Sequence, residues 1–150
     1  VTNWDEIKRQ ERREKGAETP SQLDGIPQNL PALMRAQRMQ ARAARQGFDW
    51  SDIDGPLGKV EEEFAELRQA WQGGQRSDIE DEFGDLLFAL VNTARFLEIN
   101  PEEALRRSVG KFERRFRAVE KQIQKRGVKM GDLPLASLDA IWDEVKRRES

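Results

Sequence analysis

The chain has 150 residues and a formal net charge of −2 at pH 7, and it contains neither cysteine nor histidine. This length suits one compact domain with a real core, and a charge near zero indicates no bulk attraction to nucleic acid or to a membrane surface. The two missing residue types exclude disulfides, thiolate catalysis, zinc sites built on cysteine or histidine, and a histidine general base. A general base must therefore be a carboxylate, a lysine or a water molecule activated by a metal.

The sequence indicates helices throughout, with almost no strand signal. Residues 2–15 are strongly charged and form either a short helix or a linker, and residues 16–28, rich in Gly, Pro and Ser, form a loop. Capping residues, glycines and apolar periodicity predict five helices, at about 29–46, 56–73, 77–97, 100–127 and 135–148. The third of these opens with a capping box at Ser77 and Glu80. Short connections favour an all-α bundle with antiparallel neighbours.

The ends and the hydropathy of the chain suggest where it works. No apolar run is long enough to span a bilayer, and no signal peptide is visible. We therefore expect a cytoplasmic location. The chain begins without a methionine, within a charged stretch of helical character, so we expect it to be a fragment of a longer protein.

One motif occurs twice, as VEEEFAEL at residues 60–67 and IEDEFGDL at residues 79–86, nineteen residues apart. Helical periodicity places the apolar residues of each copy on one face, centred on Phe64 and on Phe83, which we expect to lie in the core. Two acidic residues then flank each apolar stripe on the same side: Glu63, Glu66, Glu82 and Asp85. An antiparallel pair of helices would bring these carboxylates to one edge, where oxygen ligands can hold a hard divalent cation. The phenylalanines beside them would strengthen the electrostatics by excluding water.

The acidic residues also have an ordinary explanation, because glutamate is a good helix former and acidic runs are usually solvated faces. Glu61, Glu80 and Asp81 lie further round the helices and are expected to face solvent. From the residues alone, a metal site and a solvated acidic face both remain open.

Two further pairs, each spaced i,i+4, carry positive charge. Lys111 and Arg115 would face a phosphate beside a carboxylate–metal cluster, although ordinary surface ion pairing explains this basic stretch equally well. Trp142 could stack on a base while Lys146 reaches a phosphate. From sequence alone a core position is favoured for Trp142, and likewise for Trp50 and Trp71.

Taken together, the segments KVEEEFAEL, EDEFGDLLFALVNTARFLEINPEEALRRSVGKFERRF and IWDEVKRRE resemble the MazG family of nucleoside triphosphate pyrophosphohydrolases. The resemblance covers nearly the whole chain and is closest to the C-terminal catalytic domain of two-domain members. It implies an all-α fold, a tight homodimer and Mg²⁺-dependent conversion of a nucleoside triphosphate to a monophosphate and pyrophosphate, with Mn²⁺ as a possible substitute. The corresponding division has an N-terminal extension with a short helix at 1–28 and a catalytic domain at 29–150.

The resemblance also implies roles for particular residues. The metal ligands would be Glu63, Glu66, Glu82 and Asp85, with Glu63 also counted as catalytic. The nucleotide contacts would be Lys59, Lys111, Arg115, Trp142 and Lys146. One departure is visible: Val109 stands where relatives usually carry Asn, so substrate positioning is altered or activity is weaker.

We therefore expect water to attack the α-phosphorus while Mg²⁺, Lys111 and Arg115 neutralise the leaving pyrophosphate. Glu62 is a candidate to accept the proton. We expect broad base specificity, and no membrane or nucleic-acid partner. The apolar surface of the 77–97 helix, including Leu87, Val91 and Phe96, predicts a homodimer. The alternative is a non-catalytic helical dimerisation or binding module on the same scaffold.

Overall fold

The computed structural model describes residues 4–14 and 20–149, without the side chains of residues 12–14. Over these residues the chain is helical, with no strand. The α-helices are α1 (Trp4–Glu14), α2 (Ala32–Arg45), α3 (Asp54–Gly73), α4 (Arg76–Phe96), α5 (Pro101–Lys125) and α6 (Leu135–Arg148), and a 3₁₀ turn covers Met130–Asp132. The predicted all-α class is confirmed. None of the helices in this part of the chain combines the length and apolar character needed to cross a bilayer.

The N-terminal segment was predicted to be either a short helix or a linker, and its described residues form the helix α1. Arg9 on this helix donates a hydrogen bond to the side chain of Gln22 at 3.1 Å. Arg42 of α2 holds the loop that precedes α2, because its guanidinium donates to the backbone oxygens of Gln22 and Asp24 at 3.1 and 2.6 Å. The predicted loop at 16–28 and the predicted extension at 1–28 lie partly outside the described residues.

The chain divides into two compact units, residues 1–101 and 102–150. In the first unit α3 packs against α4, and α4 also packs against α2. The packed face of α3 recurs every three or four residues, through Pro56, Glu63 and Leu67, and that of α4 runs through Glu82, Leu86, Ala89 and Thr93. This spacing follows from 3.6 residues per turn. It places acidic side chains on the surfaces where the two helices meet.

The prediction that Phe64 and Phe83 lie in the core is wrong for this chain, because their exposed fractions are 50% and 53%. Each phenylalanine follows a glutamate of the packed face, and one residue corresponds to a rotation of about 100°. The aromatic residues had suggested the wrong centre for each apolar stripe. Val91, predicted to be interface surface, is buried within the chain instead, at 3% exposure.

The second unit has its core between α5 and α6. Val119, Ile123, Ile141 and Val145 are buried together, and Trp142 is among the partly buried residues that pack against them. Leu133, which follows the 3₁₀ turn, also packs on this cluster and so joins the connection to the core. The two helices thus bury one apolar face each, as their periodicity predicted.

Most helix ends match the sequence signals to within a few residues. α6 covers the predicted residues 135–148, and Pro101 opens α5 at the first helical position, where its missing N–H costs nothing. The predicted capping box is wrong, because α4 already begins at Arg76 and Gln75 precedes it without a side-chain cap. α3 ends where Gly74 adopts a φ of 73°, a left-handed conformation that favours glycine.

Candidate active site

Three of the four predicted metal ligands come together between α3 and α4. Glu63, Glu66 and Glu82 each place one carboxylate oxygen within 4.8 Å of the others. The repeat explains this meeting, because Glu63 and Glu66 lie one turn apart on α3 and Glu82 lies on the face of α4 that packs against them. Such a group of oxygens could hold a metal ion.

Glu63 is the most deeply placed of the three, with only 5% of its surface exposed. Lys59, one turn earlier on α3, brings its Nζ to 2.8 Å from Glu63 and 3.2 Å from Glu62. This pairing compensates one oxygen of Glu63. The second oxygen of Glu63 and one oxygen of Glu82 are buried without a hydrogen-bond partner among the described residues. A buried carboxylate oxygen is costly unless a donor or a cation faces it, so these two orphaned oxygens fit a cation site.

The ionisation of the cluster points the same way. The hydrogen bond from Lys59 lowers the pKa of Glu63 below its ordinary value, and the same contact raises the pKa of Lys59. Glu66 behaves oppositely, because its hydrogen bond with Glu82 and the charge of Glu63 raise its pKa. One lysine therefore does not balance three carboxylates, and the excess negative charge favours a proton or a cation on Glu66.

The fourth predicted ligand, Asp85, is outside this group of three. It is exposed on α4 and lines a cavity of about 700 Å³ together with Lys59 and Glu63. The acidic cluster therefore borders a cavity of the size that small-molecule sites have.

The rest of the cavity is lined by residues that sequence reasoning did not select. α2 contributes Met39 and Gln40, the following loop contributes Phe48 and Trp50, and α4 contributes Phe88. The prediction of a core position for Trp50 is wrong, since the residue is 44% exposed, and so is that for Trp71, at 72%. An aromatic pair within the turn-forming segment GFDW was the one available signal for a loop that lines a site.

An ion pair holds the aromatic loop against α4. Arg95 donates to both carboxylate oxygens of Asp49, at 2.6 and 3.2 Å, and also to Asn92 at 2.8 Å. This contact lowers the pKa of Asp49 below its ordinary value. The ring of Trp50 lies on the backbone of α3 at Gly55, where an added Cβ would meet the ring at 2.6 Å. The loop is therefore fixed to α4 through Asp49 and to α3 through Trp50.

The remaining predicted nucleotide contacts belong to the second unit. Arg115 pairs with Glu149 at 2.8 Å, while Lys111 and Lys146 are exposed. Trp142 is partly buried, with its ring centroid 5.6 Å from that of Phe112. Trp142 therefore has a packing role, in agreement with the core position favoured from sequence. Its contact with a nucleotide stays a prediction, as do those of Lys111, Arg115 and Lys146.

Two packed helices with a carboxylate cluster beside a cavity define a helical domain with a candidate cation site. The family model of the MazG nucleotide pyrophosphohydrolase domain matches residues 57–120, which cover most of α3, all of α4 and most of α5. Over 99% of its length the chain is 44% identical to a nucleoside triphosphate pyrophosphohydrolase of Escherichia coli strain K12. Over 95% of its length it is 43% identical to the nucleoside triphosphate pyrophosphohydrolase/pyrophosphatase MazG of Thermotoga maritima. The chain belongs to the MazG family.

The relatives are longer than this chain. The match spans 57% of the Escherichia coli protein and 54% of the Thermotoga maritima protein, so the chain covers about half the length of these curated relatives. A third relative, the uncharacterized protein YabN of Bacillus subtilis, is 41% identical over 99% of this chain, which corresponds to 30% of that protein.

Proposed function

We propose that this chain hydrolyses nucleoside triphosphates to a nucleoside monophosphate and pyrophosphate, in a reaction that depends on Mg²⁺. The observation that carries the proposal is the cluster of Glu63, Glu66 and Glu82, which has two orphaned buried oxygens and borders a cavity through Glu63. The relatives named above, whose names state this activity, support it over nearly the whole chain.

The metal would be held by Glu63, Glu66 and Glu82, with Asp85 as the fourth ligand. All four offer hard oxygen atoms, which favours Mg²⁺ or Mn²⁺ over Zn²⁺. When bound, a divalent cation would neutralise phosphate charge and make a water molecule more acidic.

The chain's own residues supply the other parts of the reaction. Water attacks the α-phosphorus, the bond from that phosphorus to the oxygen bridging to the β-phosphate breaks, and pyrophosphate leaves. Glu62 is exposed beside Lys59 and is our candidate to accept the proton from the water. Lys59 could exchange Glu63 for a phosphate oxygen, and we assign neutralisation of the pyrophosphate to Lys111 and Arg115. Broad base specificity, a homodimer, the catalytic domain at 29–150 and a cytoplasmic location remain predictions.

The deciding experiment measures pyrophosphate release from a mixture of nucleoside triphosphates with Mg²⁺, with and without a chelator. We expect release with Mg²⁺ and none with the chelator. The Glu66→Gln variant should be inactive, while Glu61→Gln, which changes an exposed carboxylate on the same helix, should be active. Mg²⁺ binding is measured separately, from its effect on the melting temperature.

The alternative, a non-catalytic module on the same scaffold, predicts a different pattern. A folded chain that binds Mg²⁺ but releases no pyrophosphate from any nucleotide would favour that module. Release of orthophosphate in place of pyrophosphate would show that the wrong phosphorus has been assigned.

A further inference from the structure

The cavity beside the acidic cluster has two chemically different parts. Lys59, Glu63 and Asp85 provide charge, while Phe48, Trp50 and Phe88 provide aromatic surface. Its volume of about 700 Å³ lies within the range of small-molecule sites, roughly 300–1,000 Å³. These aromatic side chains remain 84%, 44% and 48% exposed, so they have apolar surface that a ligand can cover. The combination fits a ligand with a charged end and a flat, partly apolar end.

Gln40 is the polar residue that stands out in the wall of this cavity. It is only 6% exposed, and its Nε2 donates a hydrogen bond to the backbone oxygen of Phe88 at 2.9 Å. A carbonyl oxygen can only accept, so this bond fixes the amide with its nitrogen toward Phe88 and its oxygen away from it. Oε1 of Gln40 is buried and has no hydrogen-bond partner among the residues the structure describes. Buried acceptors without a partner are uncommon in folded proteins and call for an explanation.

The register along α4 relates this acceptor to the acidic cluster. Phe88, which anchors Gln40, follows Asp85 by three residues and Glu82 by six. With a rise of 1.5 Å per residue, these steps correspond to roughly 5 and 9 Å along the helix. In a nucleotide the ribose separates the base from the α-phosphate by a comparable stretch. Phosphates bound through a cation at the carboxylates would therefore bring a base near Gln40.

We infer that the cavity holds the base of the nucleotide, with a hydrogen-bond donor on the edge of the base directed at Oε1 of Gln40. The inference rests on the proposed function for the identity of the ligand, and it adds a residue that determines specificity. Phe48, Trp50 and Phe88 cover the faces of the base.

This arrangement should distinguish bases that carry an N–H donor at the pairing edge from bases that lack one. Adenine and cytosine carry an amino group at the pairing edge, and guanine, uracil and thymine carry a ring N–H there. One acceptor can therefore bind each natural base, and aromatic surfaces tolerate all of them. A base analogue that lacks any N–H at this edge leaves the acceptor unpaired. All natural bases are accepted, and donor-free analogues are rejected.

The test compares matched triphosphates that differ only in this donor. ATP is compared with purine riboside triphosphate, and CTP with the triphosphate of 2-pyrimidinone riboside, each without the amino group. We expect the wild-type chain to favour the natural nucleotide in kcat/KM by roughly five- to a hundredfold, the effect of one buried hydrogen bond. Equal kcat/KM for both members of each pair in the wild-type chain would by itself overturn the inference.

The Gln40→Met variant, similar in length but without an acceptor, should remove this preference. Thr93→Val is the matched control, because Thr93 is buried on α4, donates to the Ala89 oxygen at 2.9 Å and does not line the cavity. The control should lose stability yet keep the preference. A preference that survives in Gln40→Met would contradict the role of Gln40. If that variant fails to fold, the wild-type comparison decides alone.

Binding measurements separate this inference from the proposed function. The dissociation constants of AMP and purine riboside monophosphate are measured by calorimetry, with no hydrolysis required. If the chain releases no pyrophosphate but binds AMP more tightly than its donor-free analogue, the proposed reaction fails and the base pocket stands. If it hydrolyses ATP and the analogue equally well, the reaction stands and the base pocket fails.

Discussion

At the level of single residues, Glu63 shows how the fold uses charge. It is more deeply buried than its neighbour Phe64, the reverse of what their polarities suggest. Lys59 pairs with one of its carboxylate oxygens, and the other oxygen has no hydrogen-bond partner among the described residues. Glu66 and Glu82 lie close by. Holding three carboxylates this close costs free energy, which a bound group of opposite charge can offset. A divalent cation between the three side chains, as proposed above, would provide that opposite charge.

The first prediction concerns this cluster. Glu66→Gln and Asp85→Asn should abolish turnover and leave the fold intact, because glutamine and asparagine keep the shape of the side chains and remove their charge. Mg²⁺ at a hundred times its dissociation constant should stabilise the wild-type chain by about 2.7 kcal/mol. That gain, measured by thermal unfolding, should be lost in Glu66→Gln and kept in Glu61→Gln. Full activity in either of the first two variants would contradict the ligand assignment.

The second prediction concerns Arg115. The Arg115→Ala variant should lower kcat/KM for all nucleotides alike, because a charge-assisted contact to the triphosphate does not depend on the base. A loss of ~2–4 kcal/mol, or roughly thirty- to a thousandfold, is expected for such a contact.

Arg115 also pairs with Glu149, so a purely structural role must be separated from a catalytic one. Glu149→Gln breaks that ion pair and leaves the arginine in place, so it should retain activity. Equal loss in both variants, or a changed base preference in Arg115→Ala, would show that the phosphate role is wrong.

Sequence reasoning found the charged residues of the site and missed the neutral ones. The acids repeat in a recognisable pattern, and three of them meet because periodicity fixes which residues share a helix face. Gln40 lies within the stretch RMQARAAR, where a glutamine is typical of an exposed helix surface. Its burial arises from contact with α4, forty-eight residues later in the chain. Local sequence carries no trace of that contact.

At the level of elements, helix position was easier to predict than helix packing. α6 has its predicted bounds, while α4 begins before the predicted capping box. The 3₁₀ turn at Met130–Asp132 was not predicted. Met130 within it and Leu133 after it pack against the core of the second unit, a contact that the local sequence does not show. The packed stripes of α3 and α4 were misplaced by one residue, since two phenylalanines outweighed the glutamates beside them. Periodicity gives the spacing of a buried face and leaves its centre open.

The loop between α2 and α3 leads to the third prediction, on pH dependence. Arg95 lowers the folded-state pKa of Asp49 below its ordinary value of 3.8. The stabilisation by this ion pair is therefore fully present above pH 3.8 and is lost as the pH falls through the lowered pKa. Asp49→Asn should reduce stability at pH 7 by about 1 kcal/mol or less, since both groups are partly exposed.

Chemical denaturation at a series of pH values checks this effect. The difference between the wild-type chain and Asp49→Asn should shrink as the pH falls below 3.8. Asp139→Asn, at an exposed position on α6, serves as the control and should show no comparable difference at pH 7. A constant difference from pH 7 to strongly acidic conditions would show that the effect of Asp49→Asn is not ionic.

For the whole molecule, the exposed apolar residues are the feature that needs a partner. Phe83, Leu87 and Leu90 follow one another at helical spacing on α4, and their exposed fractions are 53%, 43% and 46%. Phe64 on the neighbouring α3 adds to this surface, with Arg68 placed 5.3 Å from its ring. An exposed apolar stripe of this kind is typical of a surface that contacts another molecule. We retain the predicted homodimer, with Leu87 in its interface and Val91 outside it.

The fourth prediction is therefore the oligomeric state. Light scattering at micromolar concentration should give the mass of a dimer. A stable interface typically covers about 800 Å² on each partner. Leu87→Glu should shift the equilibrium toward the monomer by placing a charge in the interface. Leu105→Glu, which changes another exposed leucine, on α5, should leave the dimer intact. A wild-type monomer under these conditions would contradict the prediction.

The contact between Trp50 and Gly55 has a consequence for how the cavity can vary among related proteins. The indole rests directly on the backbone of the first turn of α3, because position 55 carries no side chain. A side chain there would force the ring to shift, and with it the part of the cavity wall that Trp50 forms. The nearest atoms that an added Cβ would meet all belong to Trp50, and none belongs to the acidic cluster or to Gln40. Position 55 is thus a point where substrate range can evolve, or be engineered, independently of the chemistry.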